Sequence, residues 1–168
     1  IGETNEEIIN DLFLLKSLNN EFENIQEIIL QNFQPKRNTT MQGFPSPSND
    51  YFLKIVSIAR LIMPDMNIQI PPNLSPRTFS SFIDAGINDW GGISPVTIDH
   101  VNPEFLWPKI KELKCITESK HHRLRGRLPV YPEFIDKPDF ISSDLRNYVE
   151  NFIDLDGLVK EEYLVEFR

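Results

Sequence analysis

Residues 66–74 read MNIQIPPNL, and this stretch contains the strand on which the fold prediction rests. Over Met66 to Ile70, Asn67 and Gln69 alternate with two isoleucines, so polar and apolar side chains point to opposite faces of the strand. If the isoleucines face covering helices, Asn67 and Gln69 point into the interior of a barrel. Polar groups are costly in such a place unless they are paired or used by a ligand.

Helical and strand-like segments alternate on both sides of this strand. A capping box at Thr4-Asn5-Glu6-Glu7 opens the first helix, and Asn19-Asn20 is predicted to end it. The next predicted elements are a strand over Asn24 to Asn32, whose centre is apolar on both faces, and a polar loop from Gln34 to Asn49. A helix is predicted over Asp50 to Met63, with one apolar stripe of Phe52, Ile55, Val56, Ala59 and Ile62, and another from Ser75-Pro76 to Ala85, which Gly86 ends. A strand over Ile87 to Trp90 follows, and then a helical segment from Asn102-Pro103 that Pro108 restarts or kinks. The order αβαβαβα with short connections predicts a parallel sheet with right-handed crossovers, as in part of an eight-unit α/β barrel.

The last forty residues differ in character from the rest. Leu128 to Pro138 is proline-rich and predicted to be extended, and amphipathic helices are predicted over about Ser143 to Phe152 and Gly157 to Phe167. We therefore expect two parts, residues 1–127 with the strand–helix units and residues 128–168 as a C-terminal extension. The sequence opens at Ile1 without a methionine, at what resembles the end of a strand, and we expect a truncated chain.

Composition narrows the functional classes. The 168 residues carry a net charge of −8, which disfavours a nucleic-acid role or an anionic membrane surface. The sequence has no apolar run long enough to span a membrane. Its one cysteine, Cys115, excludes an internal disulfide and indicates a reducing compartment, so we expect a cytoplasmic protein.

Amide side chains cluster where the three predicted strands end. These ends are Gln31-Asn32-Phe33, Gln69 to Asn73, and Asn88 to Gly92. Ligands of parallel α/β folds meet this edge of the sheet, and amides both donate and accept hydrogen bonds without carrying charge. Three such ends predict a polar, uncharged ligand, although each single amide is equally well explained as a structural cap.

Other candidates have structural alternatives of similar or greater weight. Gly91-Gly92 allows a close approach to a ligand or forms a tight turn. Asp99-His100 resembles a general acid/base pair, but a capping aspartate explains it as well. The basic run Lys120 to Arg127 is interpreted as a solvated loop rather than a nucleic-acid or metal site, and Cys115 as a small core residue.

Several long segments together resemble the radical S-adenosylmethionine (SAM) component of 7,8-didemethyl-8-hydroxy-5-deazariboflavin (FO) synthase. The segments are IQEIILQNF (25–33) with Pro35-Lys36 and Thr40-Met41, MNIQIPPNL (66–74), DAGINDWGGISPVTIDHV (84–101), Asn102-Pro103 with Trp107-Pro108, and RLPVYPE (127–133). They resemble the sixth, seventh and eighth strands of that family and the segments after the eighth strand. The resemblance implies the C-terminal half of a radical SAM (βα)8 barrel of the TIM type.

The resemblance also implies an activity. A [4Fe-4S] cluster cleaves SAM to a 5'-deoxyadenosyl radical, which abstracts hydrogen from a hydroxybenzyl–diaminouracil adduct. The adduct then cyclises with loss of ammonia to FO, the chromophore of coenzyme F420. A companion radical SAM subunit supplies the adduct, and a reductant protein serves the cluster.

By the same resemblance, single residues acquire expected roles. SAM is expected to contact Glu3, Gln31 and Asn32. The uracil and ribityl groups of the substrate are expected to contact Asn67, Gln69, Asn73, Asn88 and Asp89.

The sequence departs from the family at the cluster, which is held by three cysteines in C-x-x-x-C-x-x-C. With Cys115 alone, this chain provides at most half of a site and is not expected to be catalytic by itself. Two alternatives remain: a related radical SAM enzyme, such as the companion subunit or a futalosine-pathway enzyme, and a non-catalytic half-barrel scaffold.

Overall fold

The computed structural model describes residues 2–94, 96–138 and 140–164, and it divides the chain into two compact units. The units are Ile1–Glu112 and Leu113–Arg168. The predicted division after residue 127 concerns the limits of a complete barrel and stays a prediction.

The first unit contains a three-stranded parallel sheet and the helices that connect its strands. Its elements are α1 (Asn5–Phe22), β1 (Glu27–Ile29), α2 (Asn49–Ile62), β2 (Asn67–Ile70), a 3-10 turn (Pro72–Leu74), α3 (Ser81–Ala85) and β3 (Asp89–Trp90), and α4 (Ile110–Ser119) begins here and continues into the second unit. The strand order is β1-β2-β3, with Ile28 opposite Ile68 and Gln69 opposite Asp89. The predicted alternation of helices and parallel strands is confirmed, whereas the eight-unit barrel stays a prediction.

The predicted start of α1 is confirmed in detail. The Thr4 hydroxyl accepts a hydrogen bond from the Glu7 N–H at 3.2 Å, and the Glu7 carboxylate accepts one from the Thr4 N–H at 2.7 Å. The helix ends later than predicted, because Asn19 lies in its last turn and caps its C-terminus. The carbonyl of Asn19 accepts the N–H of Glu23, which adopts a left-handed φ of 50°, and its side chain accepts the N–H of Ile25.

The core of the first unit lies between the sheet and its helices. Ala59 and Met63 at the end of α2 pack with Ile28, Ile68 and the α1 residue Leu12. The buried stripe predicted for α2 is confirmed at four of its five positions, which are Phe52, Ile55, Val56 and Ala59. Its fifth position, Ile62, is only partly buried.

Three predicted segments of this unit differ most from expectation. The strand over Asn24 to Asn32 reduces to β1, and Ile29 is 55% exposed although burial on both faces was predicted, since β1 lies at the edge of the described sheet. The helix predicted from Ser75 begins only at Ser81, after a series of turns, and ends as predicted at Gly86 with a φ of 107°. Asn102-Pro103 forms a turn rather than a helix, so regular helix begins only after Pro108.

Cys115 is exposed on α4, so its prediction as a core residue is wrong. The buried positions of α4 are Leu113 and Thr117, which lie four residues apart on the same helix face. Cys115 lies between them and projects from a different face.

The second unit has a small core of its own. It contains α5 (Pro132–Ile135), α6 (Ser143–Val149) and a 3-10 turn (Glu161–Tyr163), and Ile135, Ile141 and Val149 form its core. The predicted extended arm therefore includes a short helix, with Pro132 at its first position. The helix predicted over Gly157 to Phe167 is replaced by a bridge between Ile153 and Val159 and by the 3-10 turn, and its last three residues lie outside the described part of the chain.

The basic run is a loop, as predicted, and its three arginines all make contacts within the second unit. Arg125 forms an ion pair with Asp154, and Arg123 forms one with Glu161. The guanidinium of Arg127 lies 3.9 Å from the centre of the Tyr131 ring. These local contacts give the run a structural role.

Candidate functional site

The carboxyl ends of the three strands lie side by side, and the segments beyond them form one edge of the sheet. Two backbone hydrogen bonds continue the ladder past the strands, from Leu30 N–H to the Gln69 carbonyl at 2.9 Å and from Gly91 N–H to the Ile70 carbonyl at 3.2 Å. Because parallel α/β folds bind ligands at this edge, the polar groups that meet there are the candidate ligand contacts.

Asn32, just after β1, presents a buried acceptor that has no partner. The residue is 6% exposed, and its Nδ2 donates to the Leu74 carbonyl at 3.1 Å. A carbonyl can only accept, so this contact fixes which amide atom faces it. Oδ1 is left buried without a hydrogen bond. Such an atom is costly unless a ligand or water supplies the missing donor.

Asn73, in the turn after β2, has the same property. The residue is 1% exposed, and its Nδ2 donates to Asp99 Oδ2 at 2.9 Å and to the Phe105 carbonyl at 3.2 Å. Both partners are acceptors only, so the amide orientation is again determined by chemistry. Its Oδ1 is buried and unpartnered. Asn32 and Asn73 thus give this edge two acceptors that call for a donor.

Asp99 holds the loop after β3 against this edge. Its Oδ1 accepts the N–H groups of Val101 and Asn102 at 2.9 and 3.0 Å, and its Oδ2 accepts the amides of Asn73 and Asn102 at 2.9 and 3.1 Å. Burial raises the pKa of Asp99, but these hydrogen bonds outweigh it and lower the pKa below the ordinary aspartate value. A carboxylate engaged by four donors is poorly suited to act as a base, which favours the capping interpretation over an acid/base pair with His100.

The glycine pair after β3 allows close packing. A side chain at Gly91 would collide with that of Gln69, whose Cβ would lie 3.2 Å from the added atom. Gly92 has a φ of 71°, and an added Cβ there would lie 3.3 Å from Trp107 Cη2. The Trp107 Nε1 is a buried donor without a partner. No local sequence pattern predicted a role for Trp107 in a site, because only its tertiary surroundings leave this donor unpaired.

Two of the predicted substrate residues lie elsewhere. Asn67 is the first residue of β2, and Asn88 immediately precedes β3, so both belong to the amino end of the sheet. Asn88 Nδ2 donates to Asn67 Oδ1 at 2.7 Å, and Asn88 Oδ1 accepts from Ile68 N–H at 2.8 Å and from Arg60 Nη2 at 3.2 Å. This network favours the structural alternative for both residues, and their substrate contacts stay a prediction.

Four further predicted site residues, Gln69, Asp89, Glu3 and Gln31, lie on different segments of the first unit. Gln69 is the third residue of β2, and its amide donates to the Glu27 carboxylate on β1. Asp89 opens β3 opposite Gln69. Glu3 precedes the cap of α1 and Gln31 comes after β1, and both are exposed. The predicted ligand roles of these four residues stay predictions.

The chain does not offer a cluster site. An iron–sulfur cluster requires several thiolates, and Cys115 is the single cysteine of the sequence. Among residues 2–94, 96–138 and 140–164, no group of three or more His, Cys, Asp or Glu side chains could hold a metal ion. These residues therefore do not fit a [4Fe-4S] cluster. In the same part of the chain, none of the helices has the length and apolar character needed to cross a membrane.

The fold and site define part of a parallel α/β protein with unpaired amide acceptors at the carboxyl edge of its sheet. The chain is 46% identical over 149 residues to the 7,8-didemethyl-8-hydroxy-5-deazariboflavin synthase of Methanocaldococcus jannaschii, which covers 89% of this chain and 41% of that protein. It is 42% identical over 160 residues to the synthase of the same name from Methanopyrus kandleri, covering 95% of this chain and 48% of the relative.

A longer relative matches almost the whole chain. The FO synthase of Streptomyces coelicolor is 44% identical over 169 residues, which covers 99% of this chain and 20% of that protein. The resemblance to FO synthases is thereby confirmed, and the chain spans less than half the length of these curated relatives. No protein-family model and no solved structure matches the chain.

Proposed function

We propose that this chain is part of an FO synthase, the radical SAM enzyme that cyclises 5-amino-5-(4-hydroxybenzyl)-6-(D-ribitylimino)-5,6-dihydrouracil to FO. The observation that carries the proposal is the identity of 42–46% to synthases of that name over 89% or more of the chain. Identity at this level favours the FO synthase reaction over the related radical SAM enzymes and over a scaffold.

In this proposal the chain contributes residues that recognise the ligands and does not contribute residues that hold the cluster. Its parallel strands form the C-terminal part of the proposed (βα)8 barrel, and the exposure of Ile29 on β1 suits an edge strand that pairs further in a complete barrel. The cluster ligands belong to a part of the protein other than this chain, because Cys115 is its only thiol.

The amide edge suits both proposed ligands. The Asn32 Oδ1 acceptor, with Glu3 and Gln31 in neighbouring segments, would accept from the amine or hydroxyl groups of SAM. The Asn73 Oδ1 acceptor, with Gln69 and Asp89, would accept from the ring N–H and ribityl hydroxyl groups of the substrate. When bound, SAM would supply the hydrogen-abstracting chemistry.

The proposal extends to partners and location. A companion subunit or domain would supply the adduct and a reductant protein would supply electrons, in the cytoplasm. The segment that fills 41% of the Methanocaldococcus relative fills only 20% of the Streptomyces relative, which is therefore about twice as long. The two synthase activities could therefore share one polypeptide in some members and lie on separate polypeptides in others.

The test is anaerobic reconstitution of the complete polypeptide that carries this segment, followed by mass-spectrometric product analysis. The expected result is FO, ammonia, methionine and 5'-deoxyadenosine from the adduct, with no product when SAM is omitted. The chain of 168 residues alone is expected to give none. A different product from the complete protein would support a related radical SAM enzyme, and the lack of any SAM cleavage would support the scaffold.

A further inference from the structure

The side-chain amides of Asn32 and Asn73 at the carboxyl edge each have a fixed orientation, but different partners fix them. Asn32 is oriented by a backbone carbonyl, whereas Asn73 is oriented chiefly by the carboxylate of Asp99. A hydrogen bond to a charged acceptor is about twice as strong as a neutral one. Asp99 therefore controls which atom of Asn73 is left without a partner.

Asp99 has no capacity left for a ligand of its own. Its two oxygens accept four N–H groups. Two are the backbone N–H groups of Val101 and Asn102, and the third is the side-chain amide of Asn102, which is buried. The fourth donor is Asn73 Nδ2, which reaches Asp99 across 26 positions of sequence. This contact ties the turn after β3 to the turn after β2, and the hydrogen bond from Asn73 Nδ2 to the Phe105 carbonyl adds a second tie.

Asn73 is consequently expected to prefer ligand groups that donate a hydrogen bond. With Nδ2 held by Asp99 and by the Phe105 carbonyl, only Oδ1 can meet a ligand, and it is an acceptor. A carboxylate or phosphate oxygen would be repelled there, whereas an N–H or O–H group would be bound. Asn32 Oδ1 adds a second acceptor on the neighbouring strand end, and Trp107 Nε1 adds a donor.

We propose that Asp99 is a positioning residue which holds Asn73 Oδ1 toward the ribityl-uracil part of the substrate, so that the site selects N–H and O–H donors over anionic oxygens. This inference rests on the proposed function for the identity of the ligand. Asp99 acts through Asn73 and does not touch the substrate. Its removal would leave the amide of Asn73 held by the neutral Phe105 carbonyl alone, at 3.2 Å, so the amide could rotate and present a donor against the donors of the ligand.

The experiment measures binding of free ribityl-diaminouracil by calorimetry to the complete polypeptide with its cluster reconstituted, anaerobically and without reductant, so that no turnover occurs. Asp99→Asn is nearly isosteric but places an amide where the carboxylate accepted, so a donor of Asn73 or Asn102 must turn away. We expect at least a tenfold loss of affinity for ribityl-diaminouracil, which corresponds to about 1.4 kcal/mol, with the affinity for SAM retained. Glu104→Gln is the matched control, because it removes an acidic charge from the same loop without a contact to Asn73, and its affinity is expected to equal that of the unchanged protein.

A double-mutant cycle separates positioning from a general structural effect. If Asp99 acts through Asn73, the combination with Asn73→Ala loses no more affinity than Asn73→Ala alone. Additive losses, unchanged affinity in Asp99→Asn, or equal losses for SAM and the uracil would overturn the proposal. If Asp99→Asn does not fold, Asp99→Ser replaces it, because the serine oxygen can still accept from the turn N–H groups but is too short to hold Asn73.

Failure of the proposed function has a different signature. In that case the unchanged polypeptide binds neither ribityl-diaminouracil nor SAM. If the unchanged polypeptide binds both and Asp99→Asn binds both equally well, only the positioning role is lost.

Discussion

Replacing Asn88 with alanine distinguishes a structural residue from a substrate contact. The substitution removes the acceptor of the Ile68 N–H and the donor to Asn67 Oδ1, which join the amino ends of β2 and β3. An unsatisfied buried N–H costs about 1–3 kcal/mol and a lost neutral hydrogen bond about 1 kcal/mol. Asn88 is itself exposed, so water can reach part of the vacated space and reduce the first of these costs. We expect a loss of about 2 kcal/mol in the free energy of unfolding, toward the low end of that sum.

The assay is urea unfolding of the complete polypeptide, monitored by circular dichroism, together with calorimetric binding of ribityl-diaminouracil. Asn88→Asp is the matched variant. It keeps an acceptor for the Ile68 N–H and for Arg60, and it replaces the donor to Asn67 Oδ1 with an oxygen that the exposed side chain can turn toward water, so it should lose about 1 kcal/mol or less. Both variants should bind the uracil within about twofold of the unchanged protein, since the network is complete without a ligand.

The reasoning would be refuted by the opposite pattern. If Asn88→Ala unfolds at the same urea concentration as the unchanged protein but binds the uracil tenfold more weakly, Asn88 contacts the substrate, as the resemblance implied. A loss of stability as large in Asn88→Asp as in Asn88→Ala would show that the Ile68 contact is not the important one.

Three further outcomes are expected of the same protein. Thr4→Ala should lower the free energy of unfolding by about 1 kcal/mol in a urea titration, because the capping box with Glu7 is lost, and an unchanged midpoint would contradict this. Phe82→Ala should cost about 3–5 kcal/mol by the same assay, since Phe82 is fully buried edge-on against Phe52 at 5.3 Å, whereas a loss below about 1 kcal/mol would mean that the site collapses without a cavity. The lowered pKa of Asp99 means that its contribution to stability is complete above the ordinary value of 3.8 and is lost as the pH falls below it. Asp99→Asn should therefore lose less stability than the unchanged protein as the pH falls below about 4 in acid unfolding monitored by circular dichroism, and equal losses would argue against the four hydrogen bonds.

The sequence predicted well those features that local interactions define. The capping box at Thr4, most of the apolar stripe of α2 and the glycine stop at Gly86 are found in the structure. Each depends on residues a few positions apart, whose geometry is fixed by helix or strand periodicity. The resemblance to FO synthases also came from the sequence, because long segments in the right order carry it.

Local pattern failed where tertiary contacts override it. The prolines after Ser75 and Asn102 resemble helix starts, yet both segments begin as turns. The carboxylate of Asp99 accepts the side-chain amides of Asn73, which precedes the first of these turns, and of Asn102, which opens the second. Cys115 has apolar neighbours in sequence but lies on the exposed side of α4.

The sequence alone determined the alternation of helices and parallel strands, the amide-rich strand ends and the lack of cluster cysteines, since each is a matter of residue type and short spacing. Only the tertiary structure decided which amides are left to face a ligand. Asn67 and Asn73 are six positions apart and of the same residue type. Asn67 is part of a hydrogen-bond network at the amino end of the sheet, whereas Asn73 has an unpartnered acceptor, Oδ1, at the carboxyl end. The physical reason is that an amide becomes a ligand contact only when partners distant in sequence, such as Asp99, leave one of its atoms buried and unpaired.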